Sequence, residues 1–113
     1  MDRVAEHSET VRGVLERVAG WVRRVPKPGV ETVLAEGTDH DFFLLKRLGW
    51  HAGARVDNTV ALVRVKDGKV WVEEDWTDLT IADELVKAGV PKEDIVLAFQ
   101  PPELRHLTDF AVA

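Results

Sequence analysis

The sequence contains no cysteine. That excludes disulfides, thiolate metal ligands and a cysteine nucleophile, and it frees the fold from any dependence on redox compartment. Basic charge is not in excess either: 15 Lys and Arg stand against 20 Asp and Glu, a net charge of −5. Binding nucleic acid through its phosphates needs several cations on one face, so this balance argues against an autonomous DNA binder. Long apolar runs are missing too. The opening stretch "MDRVAEHSETVRGVLERVAG" is charged throughout, so neither a secretory signal nor a membrane span is predicted, and a cytoplasmic protein is expected. There is no phosphate loop, no G-x-G-x-x-G and no G-x-S-x-G. Repeats, linkers and low-complexity segments are absent as well.

What is present is ordinary globular material. With 45% apolar and 31% charged residues, the 113-residue chain is expected to form one domain, 1–113, around one core. Residues 3 to 25 read as a long amphipathic helix, with Val11, Val14, Leu15, Val18, Val22 and Val25 at helical spacing. Arg12, Glu16, Arg17 and Arg23 fall on its other faces. Pro26 and Pro28 stop it.

Strands follow. "VETVLAE", "FFLLKRLGW", "RVDNTVALVRV" and "VWVEEDW" form an antiparallel meander of about four strands. Asp67-Gly68 between β-branched runs predicts a type I′ hairpin. "TDLTIADELVKAGV" reads as a second helix, with Asp78 or Thr80 as N-cap, Gly89 just past its end and Pro91 beyond. "EDIVLAF" is a short extended segment, "QPP" breaks it, "ELRHL" makes one helical turn, and "DFAVA" is expected to dock on the domain. The fold class is α+β, with the second helix and the short C-terminal segments packed on the sheet.

The strands carry apolar residues on both faces: Phe42 and Leu44 oppose Phe43 and Leu45, while Val60 and Leu62 oppose Ala61, Val63 and Val65. A sheet with one wet face should alternate more cleanly. Two readings stay open. The long helix covers one face and the C-terminal segments the other, or a partner or a second copy of the chain covers what remains.

Residues with chemical potential are scattered. Asp39, His40 and Asp41 sit in one turn, but neighbours in extended chain point to opposite sides. His51 and His106 lack a partner at metal-binding spacing. No catalytic residue, metal site or cofactor is expected. Trp21, Trp50, Trp71 and Trp76 are informative as a group: tryptophan is enriched at contact hot spots, although at least two should belong to the core or its edge. Arg47, Arg55, Arg64 and Lys66 lie on strands and offer a basic strip as the alternative, nucleic-acid contact.

"LLKRLGW", "DGKVWV", "DWT" and above all "IADELVKAGVPKEDIVLAFQPPELRHLTDFAVA" resemble the XisI family, the element excision controlling factors. The resemblance runs in order over nearly the whole chain. It implies a small α+β domain that is a non-enzymatic accessory in excision of DNA elements during heterocyst development in cyanobacteria. It also implies contact with a companion, XisH, which is nuclease-related, and through it with a site-specific recombinase. Trp76, Gln100, Pro101, Pro102, Glu103 and Arg105 lie on turns and are the candidate partner contacts.

Overall fold

The computed structural model describes residues 3–113. The element order is α1 (Arg3–Arg23), β1 (Val30–Glu36), β2 (Phe42–His51), β3 (Ala54–Lys66), β4 (Lys69–Asp75), α2 (Ile81–Lys87) and β5 (Ile95–Leu97). A 3₁₀ turn, Lys92–Asp94, precedes β5, and another, Pro102–Leu107, follows it. The architecture is the expected α+β arrangement. The strands form one five-stranded sheet in sequential order, antiparallel from β1 to β4.

The apolar stripe of α1 does what its spacing predicts. Val11, Val14, Leu15, Val18 and Ala19 are buried against Phe43, Leu45, Ala61, Val63, Val65, Val70 and Val72 from the sheet. The helix ends at Arg23, two residues short of the expected limit. Arg24 and Val25 then donate to the carbonyls of Trp21 and Val22 in a tighter terminal turn. This turn points Val25 outward, and it is 77% exposed rather than part of the stripe.

Asp67 and Gly68 have φ of 55° and 74°, the left-handed pair that a type I′ hairpin requires. α2 is terminated by a Schellman arrangement: Val90 N–H donates to Leu85 O, and Gly89 N–H to Val86 O. Its start differs from expectation. Thr80 occupies the N-cap position but its side chain makes no capping bond. Asp75, at the end of β4, accepts from Ile81 N–H at 2.8 Å instead. Its other oxygen takes Thr77 N–H at 3.0 Å, which folds the Thr77–Thr80 link around one carboxylate.

"EDIVLAF" supplies a fifth strand, and it is parallel: Val70 pairs with Ile95 and Val72 with Leu97. Parallel neighbours need a crossover, and α2 provides it. Ala111 extends the pattern, with its N–H donating to Ile95 O at 2.8 Å and a parallel bridge to Val96. "DFAVA" is thus docked, as its composition suggested.

Both helices lie on the same face. α1 touches β1 to β4, and α2 touches α1 and β4. The expectation that C-terminal segments would cover the other face holds only at its β4–β5 end, where Val96 is buried and Arg105 lies over Trp71.

The chain at the far corner is exceptionally close. A Cβ on Gly49, whose φ is 151°, would sit 1.9 Å from Gly29 O. Gly49→Ala should therefore destabilise the fold by about 2 kcal/mol or more, because backbone must move. Thermal or urea unfolding checks this, with the open-space Gly13→Ala as control.

Candidate functional site

The outer face of the sheet is the largest feature left uncovered by the helices. β1 contributes Val33, 38% exposed, while Phe42, Leu44 and Leu48 on β2 and Leu62 on β3 are half-buried. Register aligns them, with Ala35 opposite Leu44 and Leu44 opposite Leu62. Charges of both signs frame this row. Lys46 pairs with Asp57 at 2.5 Å, and Arg64 approaches Glu73 at 3.8 Å. The Lys46 ammonium holds the Asp57 carboxyl below its usual range.

The basic strip of the sequence reading is not assembled. Arg55 lies over Trp50 with 5.9 Å to the ring centroid, and Lys66 over Trp71 with 4.5 Å. Arg55, Arg64 and Lys66 share the outer face, interleaved with Asp57, Glu73 and Glu74. Arg47 pairs with Thr32 and Asn58 on the opposite face and lines a separate cleft beside the end of α1.

The proposed contact residues gather at one end of the molecule. Because β4 and β5 are parallel, the chain leaves both at the same end of the sheet. Trp76 follows β4 and is 74% exposed, and Phe99, after β5, is 49% exposed. Trp76 Nε1 donates to Glu74 Oε1 at 3.1 Å, which orders the indole at the surface. Pro101, Pro102 and Glu103 are exposed, and Gln100 is half-buried.

Arg105 has another position. It is 9% exposed, and its guanidinium donates to the carbonyls of Gln100 (3.1 Å), Ala98 (3.3 Å) and Val112 (3.4 Å). Its planar group lies over Trp71, 5.8 Å from the centroid. The side chain staples the C-terminal segment to the sheet and reaches inward.

Two polar clusters were not legible as sites. Arg12 on α1 makes a two-pronged ion pair with Glu36 at the end of β1, at 2.7 and 2.8 Å. His40, at φ 59°, adds its Nδ1 to the same carboxylate. The histidine thus engages Glu36 rather than its neighbours Asp39 and Asp41. Hydrogen bonds from Arg12 and then His40 lower the Glu36 carboxyl from an ordinary 4.5 to about 2.

The second cluster is His7 with Asp94, both buried, at 3.2 Å between Nε2 and Oδ2. It ties α1 to the turn before β5. His51 Nδ1 donates to Pro28 O at 2.9 Å, at the opposite end of β2 from His40, about 30 Å away by strand rise. Among the described residues no three His, Asp or Glu side chains are grouped to hold a metal ion. No helix of the described residues is long and apolar enough to cross a membrane.

The XisI protein family model matches residues 1–112. The chain belongs to the XisI family. A XisI-like protein from Anabaena variabilis ATCC 29413 superposes with a TM-score of 0.89 at 35% identity, covering 97% of this chain and 99% of that one. The fdxN element excision controlling factor XisI from the same organism gives 0.84 at 31% identity, covering 99% and 100%. No curated protein matches the chain.

For this XisI-family chain the clusters predict two outcomes. Arg105→Met should cost about 2 kcal/mol or more, since a buried charged donor serving several carbonyls is removed. It should also raise amide exchange at Ala111, readable by hydrogen–deuterium exchange. The Glu36 pair contributes stability above the ordinary carboxylate value of 4.5, and that contribution is lost as pH falls towards about 2. The melting temperatures of the wild type and Glu36→Gln should accordingly differ most at neutral pH and converge near pH 2.

Proposed function

We propose that this XisI-family protein controls excision of a DNA element without catalysing a reaction itself, by binding another protein of the excision machinery. The observation that carries the reading is the outer sheet face, apolar at Val33, Phe42, Leu44, Leu48 and Leu62, continuing towards the surface tryptophan Trp76. Exposed apolar area of this kind beside an ordered indole is typical of protein contact surfaces. The controlling-factor role of the Anabaena variabilis XisI supports the setting.

The partner is an XisH-like, nuclease-related protein, as the family resemblance implies, with a site-specific recombinase further along the assembly. A chain of net charge −5 is suited to a basic partner, which it would meet quickly through long-range attraction. Gln100, Pro101, Pro102 and Glu103 form the rim of the contact, and Trp76 with the Leu44–Leu62 row forms its centre. The setting by family is heterocyst development in cyanobacteria.

The test is co-purification with the XisH-like protein, followed by binding measurements on variants. Trp76→Ala should weaken the complex by about tenfold or more with an unchanged melting temperature, as a hot-spot tryptophan does. Leu62→Arg should weaken it further. A salt-sensitive mobility shift of DNA by the protein alone would overturn the reading, as would a dimer of this chain that buries the same face and excludes the partner.

A further inference from the structure

A cleft on the opposite side of the molecule is unaccounted for by the controlling role. It lies between the end of α1, the Pro26–Gly29 turn and the inner side of the β1–β2 ladder. Its volume is about 270 Å³, and Val22, Val25, Pro26 and Val30 supply apolar walls. A second hollow of about 450 Å³ adjoins it, shares Arg47 and Lys27, and extends to His51.

The polar groups in this cleft are unbalanced. Arg23, Lys27 and Arg47 line it against one carboxylate, Glu31. Arg23 is anchored, with its Nη2 donating to Thr32 O at 2.8 Å. Among the described residues, no ion pair involves Arg47 or Lys27. Arg47 Nε is buried and has no hydrogen-bond partner among the described residues. Buried donors are nearly always satisfied, so this guanidinium at the cleft wall holds unused hydrogen-bonding capacity.

The end of α1 would oppose an anion through its unpaired carbonyls, but Trp21 O and Val22 O already accept from Arg24 and Val25. Arg23, Lys27 and Arg47 add three formal positive charges beside that partly satisfied helix end.

We propose that this cleft binds the carboxylate of a small organic acid, with Arg47 as its fork, Lys27 as a second cation and the valine and proline walls holding the apolar body. The terminal donors of Arg47 form a planar pair that matches a carboxylate. The apolar walls favour a monoanion with a hydrocarbon tail over a fully hydrated phosphate. The inference does not depend on the excision partner, since the cleft lies on the helix-covered side of the sheet.

The experiment is a titration of the isotopically labelled full chain at constant ionic strength with butanoate, inorganic phosphate and butylammonium. The Arg47 Nε–Hε signal and the methyls of Val22, Val25 and Val30 are followed. Butanoate should shift them saturably, phosphate more weakly, and butylammonium not at all. Arg47→Met should weaken butanoate binding about tenfold or more, the loss of a charge-assisted pair, while raising the melting temperature of the free protein. Lys27→Met, at an exposed position, should weaken it less and leave the fold unchanged. Shifts that fail to saturate, tighter binding of phosphate than of butanoate, or undiminished binding by both variants would overturn the proposal.

Discussion

The stripe Val11, Val14, Leu15 and Val18 packs on Phe43, Leu45, Val63 and Val72, and this contact decides which face of the sheet is dry. α2 is drawn to the same side because β4 and β5 are parallel and a crossover must pack somewhere apolar. With both helices on one side, the other face is left to the short C-terminal segment, which reaches only the β4–β5 end. The half-buried row Phe42, Leu44, Leu48 and Leu62 is thus a consequence of how the core was assembled. It is apolar where a solvated sheet face would carry polar residues.

Local pattern made much of this legible. A 3.6-residue period located α1, alternation located the strands, and Asp67-Gly68 fixed the third hairpin because both positions need positive φ. The parallel fifth strand was less legible, since a three-residue apolar run carries no information about direction. The N-cap position of α2 was legible as Thr80, but the bond that satisfies its first amide was not, for a related reason. Thr80 has the right chemistry at the right place, yet its side chain makes no capping bond and Asp75 takes the first amide, Ile81 N–H, from the end of the preceding strand.

Arg105 shows the limit most clearly. Its neighbours "QPPELRHL" read as an exposed turn, and nothing in them reveals that three carbonyls converge on that side chain. The same holds for His7 and Asp94, 87 positions apart. Contacts that close only in the folded chain leave no local trace. Of the contact candidates, Trp76 and the Pro101–Glu103 turn lie where loop chemistry suggested, while Arg47 was separated from the other cations by a matter of parity: one residue's shift along a strand changes its face.

The bond from Arg23 to Thr32 O has a further meaning. β1 lies at the border of the sheet, with no neighbour on its outer side among the described residues. An open border of this sort invites chains to zip together into filaments. A cation laid across its backbone, and itself hard to desolvate, makes such growth unfavourable, so the margin is closed to polymerisation although the broad face beside it is apolar.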